Sequence, residues 1–178
     1  MQKVRERLLR ASAALEAAGV PYAVAGGNAV ALWVSTVDEA AVRNTRDVDV
    51  LLRRSDLPAA RAAFEAAGFV YRHVSGLDVF LDGPDAKARD AIHIVFANER
   101  VRPGEPAVTP DVAESIGRDF RVLTLGALVR IKLTAFRDKD RTHLRDLIEL
   151  ELIGEETLAD LQPELAVRLQ RLLDDPHG

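Results

Sequence analysis

At 178 residues the chain has room for one domain with a sizeable core, or one domain carrying a helical appendage, and 48% hydrophobic with 29% charged residues is the make-up of an ordinary soluble protein. A net charge of −4 argues against bulk electrostatic binding to polyanions, and the lack of cysteine excludes disulfides, thiolate metal sites and a cysteine nucleophile. The N-terminal segment lacks the apolar core of a signal peptide and no apolar run approaches the roughly 18 residues of a membrane span, so no membrane partner is expected and a reducing cytoplasm is the expected compartment.

Val4, Leu8, Ala11 and Leu15 recur at steps of four and three, which predicts an amphipathic helix ended by Gly19. Tyr22 to Ala25 reads as a buried strand, Gly26-Gly27 as a turn, and a short helix follows from about Asn28. Glycines at a strand end permit backbone angles and close approaches that a Cβ forbids. A helix after them points unpaired N–H groups and a positive dipole end at the space above, which suits a phosphate. After Trp33 the sequence to Thr45 has little periodicity and is expected to be a loop. The next strand carries Asp47 and Asp49 on one face, Val48 and Val50 on the other. Two carboxylates so placed beside an anion-binding turn can hold Mg²⁺ against a triphosphate. Arg46, just before them, is either a rim residue hydrogen-bonded to a phosphate or a surface arginine.

Ser55 is expected to cap a helix with Leu57, Ala60, Phe64 and Ala67 on one face, closed by Gly68. Strands are predicted over 69–74, 77–81 and 91–97, with a turn at Gly83-Pro84. In the last of these His93 points away from Ile92 and Ile94, as a structural residue or as part of a site; Asp90 falls on the other face of a regular strand. Pro103, Gly104, Pro106 and Pro110 mark a turn-rich connector, so 1–110 reads as a core and 111–178 as a C-terminal helical region packed on it. A short strand over 120–123 leads to Thr124, the N-cap of a helix in which Leu128, Ile131, Lys132 and Ala135 share one side. Lys132 therefore either carries its amine to solvent or reaches a phosphate. A further helix starts near Asp138; its Asp140 either orients Lys132 or Arg137, or pairs with an arginine on the surface. From Arg118 to Arg145 eight Lys or Arg stand against three Asp, a surplus that either offsets a triphosphate or short RNA, or forms a solvated helix face. Leu158, Leu161, Leu165 and Leu169, broken by Pro163, predict two short helices in the tail. No nucleophile elbow, GxxxxGK[ST] or GxGxxG occurs.

Gly26-Gly27, followed about twenty residues later by Asp47-Val48-Asp49, and KLTAFRDKDRTHLRDL from Lys132 to Leu147 together carry a resemblance. They resemble the minimal nucleotidyltransferase fold of the polymerase-beta-like superfamily, and within it the AbiEii-type group, which includes toxins of toxin–antitoxin pairs. The resemblance covers about the first three quarters of the chain. It implies an α+β fold: a small mixed or antiparallel sheet with flanking helices, then a C-terminal helical region. It also implies that Gly26 and Gly27 contact nucleotide phosphates, favours the phosphate for Lys132, and implies that Asp47 and Asp49 bind Mg²⁺ or Mn²⁺; Asn28 and Arg46 stand beside them as further candidates for nucleotide binding. The superfamily places a third carboxylate on the strand beside the Asp pair, where this chain has His93. An imidazole can accept a proton near neutral pH but is a poor ligand for Mg²⁺, so His93 either serves as general base or marks weakened catalysis.

The implied activity is Mg²⁺-dependent transfer of an NMP from an NTP (ATP, CTP, GTP or UTP) to a hydroxyl. The acceptor would be a tRNA end, a protein side chain or a hydroxylated small molecule such as an aminoglycoside, and a toxin would have an antitoxin protein as partner. Two other readings stand beside it. One is a fold relative that binds nucleotide or a partner protein without transfer; the other is a structural α+β protein whose Asp47 and Asp49 are the wet face of an edge strand.

Overall fold

The computed structural model describes residues 2–87, 90–117 and 120–175. Helix α1 (Gln2–Ala17) leads through β1 (Tyr22–Ala25) into α2 (Gly26–Ser35), and β2 (Val48–Leu52) follows. Next come α3 (Leu57–Ala66), the hairpin of β3 (Val70–Val74) and β4 (Leu77–Leu81), and β5 (Ala91–Phe96). Two short strands, β6 (Ser115–Ile116) and β7 (Val122–Leu123), precede α4 (Leu125–Ala135), α5 (Asp138–Glu149) and α6 (Pro163–Asp174). The α+β expectation holds. One mixed seven-stranded sheet runs in the order β3-β4-β5-β2-β1-β7-β6, with β1–β7 and β2–β5 parallel and the remaining pairs antiparallel.

Side-chain alternation along the strands splits the core in two. Tyr22, Val24, Val48, Val50, Ile92 and Ile94 share one face with α1 and α3, where the stripe Leu8, Ala11 and Leu15 and the rings of Phe64 and Phe80 are buried. Ala23, Ala25 and Leu51 lie on the other face, under α2, α4, α5 and α6. Each fully buried Leu or Phe contributes about 1.5–3 kcal/mol, and the twelve largest such side chains are divided between the two faces. The sheet is therefore held from both sides.

Several local expectations change. No separate Gly-Gly turn exists: β1 passes straight into α2, and Gly26, at φ +63°, makes the corner. The expected loop after Trp33 begins later, because α2 runs to Ser35, and it contains a 3-10 turn at Glu39–Ala41. Asp47 lies one residue before β2, not within it. Ser55 caps nothing; it sits in a 3-10 turn (Arg54–Asp56), and α3 starts with Pro58 in its first turn, where a missing N–H costs nothing. The first tail helix is a 3-10 segment, Glu155–Asp160. Thr124 does cap α4, accepting from the Ala127 N–H. Finally, β2 lies between β5 and β1 at the centre of the sheet, which removes the edge-strand reading of the Asp pair. Arg118 and Asp119, counted in the basic surplus, lie outside the described residues. No helix among the described residues is long and apolar enough to cross a membrane.

Candidate active site

A single row across the sheet sets the geometry. Asp49 is paired with Ala25 of β1 on one side and His93 of β5 on the other, and His93 in turn with Val79 of β4. Residues paired across neighbouring strands point to the same face. Asp49 and His93 therefore share the face covered by α2, α4 and α5, while Val48, Val50, Ile92 and Ile94 point the other way. His93 and Asp49 are both half-buried.

The carboxylate of Asp49 rests on Gly26. A Cβ at Gly26 would overlap Asp49 Oδ2 and lie 2.6 Å from its Cγ. At Gly27 a Cβ would come within 3.0 Å of the Thr45 side chain. Both glycines thus let the 45–49 segment approach the start of α2 more closely than any other residue permits. That helix start has no side-chain cap and no acidic residue in its first turn. Its first-turn N–H groups and positive dipole end therefore stay available beside Asp49. Asn28 has a protein partner: its Nδ2 donates to the carbonyl of Asp47 at 2.6 Å. Arg46 is exposed at the rim.

Charge converges on Asp49. Burial pushes its carboxyl above the usual carboxylate range; His93, Lys132 and Lys139 pull it down, and Asp47 adds repulsion. The fold thus brings Asp47, Asp49, His93 and Lys132 into one electrostatic neighbourhood from three separate stretches of chain, with Gly26 and Gly27 of a fourth in contact beneath.

Lys132 does not run to solvent. It is 4% exposed, and its Nζ donates to Asp140 Oδ1 at 2.9 Å. Asp140 Oδ2 accepts from Arg137 Nε at 2.7 Å, so Asp140 orients both cations and is not a surface partner. The reason is a turn invisible in the periodicity: Phe136 adopts a left-handed φ of 46° that ends α4 and folds α5 back across it. Burial alone would raise the carboxyl of Asp140, but Arg137 and Lys132 hold it below the usual range. Replacing Lys132 by Met should cost about 3 kcal/mol in urea denaturation, because a buried carboxylate loses one of its two cations. Arg137→Ala, at the exposed side of the same carboxylate, should cost less.

His143 on α5 shares this neighbourhood. Its Nδ1 is buried without a hydrogen-bond partner among the described residues. Burial, then the charge of Lys132, depress its pKa to about 4 against the pull of Asp140 and Asp146. Its ordinary value is about 6.5, so on acidification the unfolded state takes up a proton before the native state does. Its contribution is complete above pH ~6.5 and is lost as the pH falls through that value towards 4. His143→Leu should flatten that part of the stability–pH curve, measured by urea titrations at several pH values.

Asp47 and Asp49 are the carboxylates that could be offered to a cation here. Among the described residues no group of three or more His, Cys, Asp or Glu is placed to hold a metal. Two carboxylate oxygens suit a hard cation whose other positions are filled by substrate phosphates and water, and do not suit a caged structural metal. Three contributors escape the sequence reading. Lys139 registers there only as nearby charge. Arg43 forms a two-pronged pair with Asp146 (2.7 and 3.0 Å) that ties the approach to Asp47 onto α5. Arg7 is 5% exposed; its signal was a charge inside the α1 stripe, three residues after Val4 and four before Ala11.

No family model matches this sequence, and no curated protein matches it. Solved structures do. An antigenic nucleotidyltransferase-like protein from Paracoccidioides brasiliensis matches over 98% of this chain and 88% of its own, with a TM-score of 0.64 and 17% identity. ANT(2'')-Ia, solved in complex with adenylyl-2''-tobramycin, matches over 100% of both chains with a TM-score of 0.58 and 14% identity. The solution structure of the same antibiotic-resistance factor matches at 0.54 over 93% of this chain, with 15% identity. The architecture of this chain is therefore that of the nucleotidyltransferase fold.

Proposed function

We propose that this protein is a divalent-metal-dependent nucleotidyltransferase that moves an NMP from an NTP to a hydroxyl acceptor. One observation carries the reading: the Asp49 carboxylate packs directly on Gly26 at the uncapped start of α2, with His93 in register beside it. The first turn of α2 seats the phosphates of the leaving pyrophosphate. Asp47 and Asp49 would hold Mg²⁺ or Mn²⁺, which when bound neutralises phosphate charge and polarises the α-phosphate. The acceptor hydroxyl attacks in line; its oxygen bonds to the α-phosphorus as the bond to the bridging oxygen of pyrophosphate breaks. The hydroxyl proton passes to His93. Lys132, fixed by Asp140, and the rim Arg46 add positive charge where the transferring phosphates develop negative charge.

Among the acceptors, a hydroxylated small molecule is favoured, since ANT(2'')-Ia was solved with a nucleotidylated tobramycin and aligns along its whole length. The AbiEii-like toxin role, with tRNA as acceptor and an antitoxin as partner in the cytoplasm, is the other form of the same chemistry. The test incubates the protein with each labelled NTP, Mg²⁺ or Mn²⁺, and separate pools of tRNA, protein and aminoglycoside. Metal-dependent label on one pool, abolished by EDTA, is the expected result.

A second reading, nucleotide binding without transfer, is favoured by one feature: an imidazole where the superfamily has its third carboxylate. Metal-dependent NTP binding with no labelled acceptor in any pool would decide for it.

A further inference from the structure

We propose that Arg7 is a positioning residue for Asp47, and that with Asn28 it grips the backbone aiming that carboxylate from opposite faces of the sheet. The proposal rests on the nucleotidyl-transfer reading of the site. Asp47 lies just outside β2, and sheet pairing begins only at Val48 with Ile92 and at Asp49 with Ala25. The carbonyls of residues 46 and 47 therefore need partners other than a neighbouring strand. Side chains supply both. Arg7 Nη1 donates to Arg46 O at 3.1 Å, and Asn28 Nδ2 donates to Asp47 O at 2.6 Å.

The two donors come from helices on different sides. Arg7 belongs to α1, which packs on the Val48 and Val50 face; Asn28 belongs to α2, on the Asp49 face. Two successive peptide units held from two sides leave little rotation about the Asp47 Cα, so the direction of its carboxylate is set before any ligand arrives. Arg7 is itself anchored: its Nε donates to Asp82 Oδ2 at 3.2 Å, and Asp82 also pairs with the more exposed Arg10. One planar guanidinium thus joins α1, the end of β4 and the approach to β2. Stability alone does not explain the choice, because a buried ion pair is often no better than apolar side chains of the same volume. A rigid fork with donors in two fixed directions is what a lysine or an apolar residue cannot provide.

Residues that orient a metal ligand typically contribute 10–100-fold in affinity or activity. Arg7→Lys keeps the charge and loses the fork. The double variant Arg7→Met with Asp82→Asn removes both charges together, so that no carboxylate is left without its partner should the single variant fold poorly. Arg10→Ala is the control on the exposed side of Asp82. Two readouts are needed: amide hydrogen exchange over residues 44–48, and Mn²⁺ binding by electron paramagnetic resonance with each of the four NTPs. We expect faster exchange at 44–48 and Mn²⁺ binding weakened about tenfold or more in both Arg7 variants, with Arg10→Ala like the wild type. Wild-type exchange and Mn²⁺ affinity in both Arg7 variants overturns the proposal alone. A wild type that binds no Mn²⁺ with any NTP overturns the reading of the site beneath it.

Discussion

Asp49→Asn is expected to abolish nucleotidyl transfer, by on the order of a thousand-fold, and at the same time to raise the melting temperature in metal-free buffer. The first effect follows from the loss of a charged oxygen between the start of α2 and the neighbouring His93; several kcal/mol of charge stabilisation correspond to about three powers of ten in rate. The second follows from burial. The carboxyl of Asp49 is pushed above its ordinary range, so the native state binds its proton more tightly than the unfolded state does. Ionising it therefore costs stability, increasingly as the pH rises through the ordinary carboxylate range and beyond. Asparagine has the same shape on Gly26 and never ionises. Its advantage should vanish at low pH, where both side chains are neutral, and grow towards neutrality, as calorimetry from pH 3 to 8 in EDTA would show. A residue that lowers stability and is needed for activity is the pattern of a functional site. Should Asp49→Asn melt below the wild type at pH 7 without metal, the carboxylate is structural and the site assignment is wrong.

Gly26→Ala should be nearly as damaging, by a different route. The new Cβ would occupy the place of Asp49 Oδ2, and φ at this position is +63°. The left-handed backbone alone costs about 1–2 kcal/mol for a residue with a Cβ. The overlap is not relieved by the carboxylate alone, since the new Cβ would also lie 2.9 Å from Asp49 Cβ, which strand pairing with Ala25 in β1 and His93 in β5 holds in place. The carboxylate must rotate away, and metal-dependent NTP binding should fall with it. Gly76→Ala separates the two contributions: it has φ +78° at the β3–β4 hairpin, with nothing within 4 Å of the added Cβ. That variant should show only the backbone penalty, about 1–2 kcal/mol, with NTP binding unchanged. Comparable loss of binding in both variants would sink the close-approach argument.

Most elements of this fold were legible in the sequence because they depend on local rules, whereas the candidate site residues stood out largely through a resemblance to a known family. The stripe Val4, Leu8, Ala11 and Leu15 has a helical period, the runs around Val24 and Ile94 have strand composition, and Thr124 has the chemistry of a cap. Alternation was enough to put Asp49 opposite Val48 and Val50 and to turn His93 away from Ile92 and Ile94. Nothing local could say that Asp49 and His93 stand in the same row, because that is a register between strands more than forty residues apart. Nor could it show Phe136 entering a left-handed corner, which buries Lys132 against Asp140 when spacing alone left it free to reach solvent. Arg7 is the plainest case. Its place on α1 follows from periodicity, but its hydrogen bond to a carbonyl 39 residues away exists only once α1 has packed against the sheet. Periodicity decides which face of an element is apolar; only packing decides which charged groups that burial brings together.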